Sequence, residues 1–290
     1  MLIGDGGLAT ELEARGHDLS DPLWSARLLL DAPDEITAAH VSFFRAGAHV
    51  ATTASYQASF DGLAARGIGR ADTARLLRRS VELAQEARSR LAGEGPRRWV
   101  AASVGPYGAA LADGSEYRGR YGLTVAGLAT WHRPRIEVLA EAEADVLALE
   151  TVPDVDEAEA LMRVISGLGV PAWLSFSIAG DRTRAGQPLD AAFAVARDVP
   201  EVVAVGVNCC DPEDVPAAIT VARAVTGKPV IVYPNSGEGW NPAQRAWVGP
   251  SRYSPEQARR WVAAGARIVG GCCRVRPDDI AGVARALAGS

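Results

Sequence analysis

The chain alternates between short apolar runs and longer stretches with helical spacing, from its first residues to its last. The apolar runs are short and rich in β-branched residues, which indicates buried strands, whereas the stretches between them repeat apolar residues every three or four positions, which indicates helices. The predicted strands are Leu2–Gly4, Ala48–Ala54, Trp99–Val104, Asp145–Leu149, Pro171–Ile178, Val202–Val207, Pro229–Tyr233 and Ala266–Val269. The predicted helices are Glu35–Ala46, Ala71–Ala92, Val125–Ala142, Asp156–Ile165, Leu189–Arg197, Pro212–Val225, a segment capped by Ser254-Pro255-Glu256, and Pro277–Ala288.

Strands followed by helices throughout a chain of 290 residues are typical of an α/β fold, and we predict a (β/α)8 TIM barrel. The alternative is an open, doubly wound sheet, but such sheets usually carry a glycine-rich phosphate turn, and neither GxGxxG nor a Walker A motif occurs. Pro134 inside a predicted helix implies a kink or two abutting helices. The long polar stretch ending at Tyr121 is predicted to be a functional or disordered loop. No linker or repeat divides the chain, so we expect one domain over residues 1–290.

Composition and charge narrow the possible partners and the compartment. The formal net charge is −5, which disfavours binding to nucleic acid or to an anionic membrane. No apolar run approaches the ~20 residues of a membrane span, and Met1 to Asp5 does not resemble the start of a signal peptide. The chain has 4 cysteines, clustered rather than spread as a disulfide framework, which favours a reducing cytoplasm. No dimerisation arm is evident, so we expect a monomer.

All four cysteines follow predicted strands: Cys209 and Cys210 follow the sixth, and Cys272 and Cys273 follow the eighth after two glycines. Chemistry in this kind of barrel lies at the carboxyl ends of the strands, and strands six and eight are separated only by strand seven. Cys209 is therefore expected to reach Cys272 and Cys273 in a three-thiolate metal site. Buried free cysteines, a vicinal disulfide and a redox pair are the alternatives.

A zinc ion held by three thiolates is a weak Lewis acid towards water, because the site carries a net charge of about −1. Hydrolytic zinc sites favour histidine, and none of the four histidines follows a predicted strand (His17, His40, His49 and His132). A metal-bound thiol is deprotonated, and its sulfur can attack an electrophilic carbon. The expected reaction class is thiol alkylation.

Over nearly its full length the chain resembles the homocysteine S-methyltransferase family. The family's zinc signature is matched by Asn208-Cys209 and by Gly270-Gly271-Cys272-Cys273, and further likeness lies in Asp5-Gly6-Gly7 and Glu150-Thr151. Other stretches are similar to the branch that uses S-methylmethionine: Leu8–Glu13, Asp21–Ala26, Thr53–Ala58, Gly105–Gly108 and Tyr233–Gly237. The resemblance implies a homocysteine-binding barrel that uses Zn²⁺ and transfers a methyl group from a sulfonium donor to L-homocysteine, forming methionine.

The resemblance also implies roles for individual residues. Cys209, Cys272 and Cys273 are the implied zinc ligands, and Cys210 is interpreted as structural. The ammonium group of homocysteine is expected to meet the carboxylates of Asp5 and Glu150. Its carboxylate is expected to accept N–H groups from the Gly6-Gly7 turn. Asn208 is expected to orient the zinc site or the substrate, and an ordinary turn role is the alternative for Asn208 and for Asp5.

The methyl donor is less well defined by the sequence. A sulfonium cation is bound best by aromatic faces or acidic groups. The candidates are Trp24, Tyr56 and the loop between Tyr107 and Tyr121, which contains Asp113, Glu116 and Tyr117. The betaine-using branch has tyrosine where this chain has Thr151, which argues against betaine as the donor. The chain is also too short for a cobalamin module. S-adenosylmethionine as the donor, and a non-catalytic zinc or redox barrel, remain alternatives.

Overall fold

A ring of parallel strands forms the centre of the molecule in the computed structural model, which describes residues 1–19, 24–241 and 246–288. The strands are β1 Leu2–Ile3, β2 Val50–Thr52, β3 Trp99–Val104, β4 Val146–Val152, β5 Ala172–Phe176, β6 Val202–Asn208, β7 Val230–Tyr233 and β8 Ala266–Val269. They pair in the order β1-β8-β7-β6-β5-β4-β3-β2, and a parallel bridge between Gly4 and Val50 completes the ring. The predicted (β/α)8 barrel is confirmed.

Helices surround the ring and connect successive strands. They are α1 Leu8–Ala14, α2 Leu28–Asp31, α3 Pro33–Arg45, α4 Phe60–Ala64, α5 Arg70–Arg90, α6 Tyr107–Leu111, α7 Val125–Glu141, α8 Val155–Ile165, α9 Leu189–Ala194, α10 Val215–Thr226, α11 Pro255–Ala264 and α12 Pro277–Leu287. Among the described helices, none is long and apolar enough to cross a membrane. Each of the longer helices turns an apolar face towards the strands, which explains why helical spacing located them.

Several elements differ from their predicted form. Pro134 lies inside one continuous helix, α7, so the interpretation as two abutting helices is wrong. The polar stretch before Tyr121 contains α6 and a 3-10 helix, Ser115–Tyr117, rather than an unstructured loop. Two short antiparallel hairpins were not predicted: Ile178–Ala179 with Arg182–Thr183, and Gly239–Asn241 with Ala246–Val248.

The interior of the barrel is filled by side chains from nearly every strand. They are Val50, Ala101, Ala148, Trp173, Ala204, Ile231 and Tyr233, with Trp99, Val146 and Ile268 packed against them. The Trp173 indole donates a hydrogen bond to the Tyr233 hydroxyl over 3.0 Å, so the buried indole N–H of Trp173 is satisfied. This layer closes the barrel below the strand ends that carry the polar residues.

Candidate metal centre and active site

The carboxyl ends of β6 and β8 bring three sulfur atoms together. The Sγ atoms of Cys209, Cys272 and Cys273 all lie within 4.8 Å of one another, and those of Cys209 and Cys272 are 2.6 Å apart. Two sulfurs bonded to one zinc at about 2.3 Å each lie roughly 4 Å apart, so the cluster can hold a single zinc ion once the sulfurs of Cys209 and Cys272 separate by about 1 Å. Cys210 is buried in the hydrophobic core and is not part of the cluster.

Two residues at the three-sulfur centre have a backbone conformation that residues other than glycine rarely adopt. Cys209 has a φ of 48° and Thr151, at the end of β4, has a φ of 57°. Such left-handed residues cost of order 1–3 kcal/mol each and persist only where the surroundings hold them. The Thr151 hydroxyl lies 3.7 Å from the Cys209 sulfur, so the two strained residues face each other.

The turn that carries the other two cysteines is held by hydrogen bonds to the residues that follow β7. The Cys272 N–H donates to the Pro234 carbonyl over 2.8 Å, and the Cys273 N–H donates to the Asn235 side-chain oxygen over 3.1 Å. Gly271 has no room for a side chain, because an added Cβ would lie 2.3 Å from Val275. The intervening strand therefore sets the distance between the sulfurs of β6 and β8.

The three thiols do not share charge equally. The pKa of Cys273 is held well below its ordinary value by hydrogen bonds from Cys209 and Cys272. Hydrogen bonds with Cys209 and with Cys273, together with burial, raise the pKa of Cys272. A hydrogen bond with Cys272 favours the Cys209 thiolate, but its bond to Cys273 and its burial outweigh that and raise its pKa. Three adjacent thiolates therefore require a cation, which is the role of a metal.

Two buried carboxylates lie beside the sulfurs. Burial raises the pKa of Asp5 to about 7, although Thr52 donates hydrogen bonds to both of its oxygens over 2.7 and 3.0 Å. Burial also raises the pKa of Glu150 to about 7, against a hydrogen bond from the Ser103 hydroxyl. The charge of Glu150 contributes to the raised pKa of Asp5, and that of Cys209 to the raised pKa of Glu150. Acids so placed are stabilised by a cation.

One of the two glycines predicted to bind the substrate carboxylate is already engaged by the protein. The Gly7 N–H donates to the Val275 carbonyl over 2.9 Å, so it is not available to a substrate carboxylate. A Cβ on Gly7 would lie 2.6 Å from the Cys272 carbonyl oxygen, which shows that this glycine permits close packing against the cysteine turn. No hydrogen bond uses the Gly6 N–H within the part of the chain that the structure describes. Of the two glycines, only Gly6 remains as the predicted donor.

Asn208 is fully buried and holds Thr151. Its side-chain oxygen accepts the Thr151 N–H and the Ser175 hydroxyl, both over 2.8 Å, and its amide donates to the Thr151 hydroxyl over 2.8 Å. With these bonds made and no exposed surface, Asn208 supports the strained residue opposite Cys209.

The loops after β2 and β3 place several of the candidate donor-binding residues near the sulfurs. Burial raises the pKa of Tyr56 and of Glu116, and the negative charge of Cys209 adds to this effect; for Tyr117 that charge is the largest cause of the raised pKa. One carboxylate oxygen of Glu116 is buried and has no hydrogen-bond partner among the described residues. Asp113, by contrast, accepts the Ser115 N–H in a local turn. The side chain of Trp24 lies outside the described residues.

Some residues at the site were not identified from the sequence. Arg184 donates to the Cys209 carbonyl over 3.4 Å, and its guanidinium lies 5.4 Å from the centre of the Tyr117 ring. Tyr233 donates a hydrogen bond to Glu150 that partly offsets the effect of burial on the pKa of that acid. Ser103 and Tyr233 could have been identified from the sequence, because each is a polar residue in an otherwise apolar strand. A polar atom inside a barrel needs a hydrogen-bond partner.

The fold and the site together define a (β/α)8 barrel enzyme with a three-cysteine centre, and comparison with known proteins specifies it further. The family model for homocysteine S-methyltransferase matches residues 2–287. Homocysteine S-methyltransferase of Escherichia coli (strain K12) is 45% identical over 289 residues, covering 97% of this chain and 93% of the relative. Selenocysteine Se-methyltransferase of Brassica oleracea var. italica is 42% identical, covering 98% of this chain and 88% of the relative. The chain belongs to the homocysteine S-methyltransferase family.

A solved structure agrees with this assignment. The crystal structure of the homocysteine methyltransferase MmuM from Escherichia coli, in its metallated form, superposes with a TM-score of 0.89 at 44% identity. The match covers 98% of this chain and 96% of that one. The protein is therefore a methyltransferase, and the interpretation of its cysteines as a non-catalytic barrel is no longer needed.

Proposed function

We propose that this enzyme transfers a methyl group from S-methylmethionine to L-homocysteine and that Zn²⁺ at Cys209, Cys272 and Cys273 supports the reaction. The observation that carries the proposal is the convergence of three sulfur atoms within 4.8 Å at the mouth of the barrel, beside two buried acids. Bound zinc would supply a deprotonated, nucleophilic homocysteine sulfur.

The protein's own groups bind and orient the amino-acid part of homocysteine. The carboxylates of Asp5 and Glu150 are only 6% and 7% exposed, and both carry pKa values of about 7. An ammonium group placed between them replaces lost hydration with ion pairs and favours the ionised form of both acids. The substrate sulfur is then held in a defined direction relative to the cysteines, which is what an in-line displacement requires.

The donor is proposed from the groups that the loops after β2 and β3 place near the sulfurs. Tyr56 and Tyr117 are aromatic side chains near Cys209, and Glu116 has a buried carboxylate oxygen with no hydrogen-bond partner among the described residues. A sulfonium cation suits this combination, because ring faces and carboxylates both attract positive charge. Thr151 stands where the betaine-using branch has tyrosine, which supports a sulfonium donor over betaine.

The test measures bound metal and methionine formation in the wild-type protein, Cys272→Ala and Cys210→Ala. We expect one zinc per wild-type chain and much faster turnover with S-methylmethionine than with betaine; S-adenosylmethionine completes the donor panel. Cys272→Ala should lose both metal and activity, because two thiolates hold zinc far less well than three. The matched control, Cys210→Ala, removes a thiol of the same kind outside the cluster and should retain both.

Comparable turnover with betaine would overturn the donor assignment. Full zinc occupancy in Cys272→Ala would overturn the metal ligands, whatever the donor.

A further inference from the structure

A charged side chain is enclosed in the protein away from the sulfurs. Arg135 lies on α7 and is 2% exposed. An unpaired guanidinium in such a place is costly, so its N–H groups should have partners that justify the burial. Burial lowers the pKa of Arg135 to about 10, which leaves the group charged at neutral pH.

The partners of Arg135 belong to two turns at the mouth of the barrel. Its Nη2 donates to the Gly105 carbonyl over 2.6 Å, directly after β3. Its Nη1 lies 3.5 Å from the Tyr56 carbonyl, at the long end of the hydrogen-bond range, in the turn after β2. These two turns are in direct contact, since a Cβ on Gly105 would lie 2.5 Å from the Tyr56 carbonyl oxygen. Arg135 therefore contacts one carbonyl group in each of the two adjoining turns.

A second set of bonds keeps the guanidinium in place. Nη2 also donates to His132 Nδ1 over 2.9 Å, so the neutral ring carries its proton on Nε2, which donates to Glu157 over 2.8 Å. The same Glu157 oxygen accepts the Tyr107 N–H over 2.5 Å. Burial lowers the pKa of His132, in agreement with a neutral ring. The chain from Arg135 through His132 to Glu157 thus joins the turn after β3 to α8.

The bridged turn leads to the metal centre through one side chain. The Tyr56 hydroxyl is hydrogen bonded to Thr151, whose own hydroxyl lies 3.7 Å from the Cys209 sulfur. Arg135, His132 and Glu157 are absent from the three-sulfur cluster. Any effect of these residues on the reaction must therefore pass through the turns that they hold.

We propose that Arg135 is a positioning residue for methyl transfer, which fixes the turns after β2 and β3 so that the Tyr56 hydroxyl meets Thr151 beside Cys209. His132 and Glu157 hold the guanidinium in the orientation that bridges both carbonyls. A small displacement of a group at a reacting centre lowers kcat strongly, whereas the metal ligands are untouched.

The test is a double-mutant cycle with Arg135→Lys and Tyr56→Phe, assayed with homocysteine and the methyl donor that the wild-type enzyme uses fastest. Lysine keeps the charge but cannot bond two carbonyls and a histidine with the same fixed geometry. We expect Arg135→Lys to lower kcat at least roughly 10-fold, with KM for homocysteine within about 3-fold and bound metal unchanged. In the Tyr56→Phe background, Arg135→Lys should lower kcat by no more than about 3-fold, because the contact between the Tyr56 hydroxyl and Thr151 is already lost.

The matched control is Arg133→Lys on the same helix. Arg133 is half exposed and pairs with Glu137 over 3.7 Å, so kcat should stay within about 2-fold of wild type. If Arg135→Lys does not fold, the cycle is run with Glu157→Gln, which keeps the acceptor oxygen and removes only the charge. A wild-type kcat in the variant, a loss of metal, or the full loss of kcat persisting in the Tyr56→Phe background would each overturn the proposal. Because the donor is chosen from the wild-type activity, failure of the S-methylmethionine assignment would not affect the outcome.

Discussion

At the scale of single residues, the site is defined by two buried acids that are hydrogen bonded to neutral groups. Asp5 and Glu150 are buried acids whose protein partners are neutral hydroxyl and N–H groups, such as those of Thr52 and Ser103. Burial raises both pKa values to about 7, and the neutral partners offset this effect less than a cation would. A site built in this way is selective for a substrate that brings a positive charge.

We expect Glu150→Gln to bind metal normally and to bind homocysteine poorly. Glutamine keeps the hydrogen bond from Ser103 but removes the charge that we propose meets the substrate ammonium. Breaking one such pair in a buried site costs about 2–5 kcal/mol, which corresponds to a rise in Kd of roughly 30-fold or more. Isothermal titration with homocysteine, and with a simple thiol that lacks the amino group, measures the effect.

The simple thiol is the internal control, because its affinity should hardly change in Glu150→Gln. Unchanged homocysteine affinity would mean that the ammonium is bound elsewhere, and loss of metal would make Glu150 a structural residue.

At the scale of elements, the strand order determines which residues meet. β7 lies between the two cysteine-bearing strands, and its end supplies Asn235 and the Pro234 carbonyl that hold the turn of Cys272 and Cys273. Gly206 in β6 allows this strand to approach β7 closely, since an added Cβ would lie 1.7 Å from the Ile231 carbonyl oxygen. The separation between β6 and β7 is thus fixed by one missing side chain.

We expect Gly206→Ala to destabilise the protein and to weaken metal binding. The added methyl group forces β6 away from β7, and overpacking of this kind costs about 1–3 kcal/mol or more. For a chain of this size, that lowers Tm by roughly 5–10 °C at the upper end of the range. Thermal unfolding with and without zinc measures both effects.

Gly127→Ala in α7 is the matched control, because the nearest atom to its Cβ is the Thr124 hydroxyl at 3.4 Å and alanine favours helix. Its Tm should be unchanged or slightly raised. An unchanged Tm in Gly206→Ala would contradict this account of the strand spacing.

The sequence predicted what depends on local pattern and missed what depends on distant contacts. The positions of the barrel strands and the meeting of Cys209 with the cysteines of β8 followed from apolar runs and strand order. The left-handed conformation of Thr151 did not, because its supports on Asn208 are 57 positions away in the chain. The use of the Gly7 N–H by Val275 was missed for the same reason, and the resemblance had suggested a substrate role instead.

At the scale of the whole molecule, stability depends on buried groups that change charge with pH. His40 on α3 has no exposed surface, and neither ring nitrogen has a hydrogen-bond partner among the described residues. Burial lowers its pKa to about 4, well below the usual value near 6.5. The folded protein therefore binds fewer protons than the unfolded chain between these values, so His40 contributes stability above about pH 6.5 that is lost as pH falls towards 4. Asp5 and Glu150, with raised pKa values, act in the opposite direction between about pH 4 and 7.

We expect the comparison of wild type with His40→Leu to isolate this contribution. Leucine does not titrate, so the wild type should lose about 2 kcal/mol of unfolding free energy relative to the variant on going from pH 7.5 to pH 5. Urea unfolding at both pH values, with equal metal content, measures the difference. A pH-independent difference between the two proteins would show that His40 is already charged, or solvated, in the folded state.

The order of the strands in the ring also determines when the site can form during synthesis of the chain. Among the strands of the ring, β1 is made first and β8 last; the two are neighbours, and two of the three sulfurs directly follow β8. Asp5 and Cys209 are thus made long before the segment that completes their site. A nascent or prematurely ended chain contains Cys209 without its two counterparts, so the three-sulfur centre arises only when synthesis reaches the final helix and the ring closes. Methyl transfer is in this sense a property of the closed ring alone.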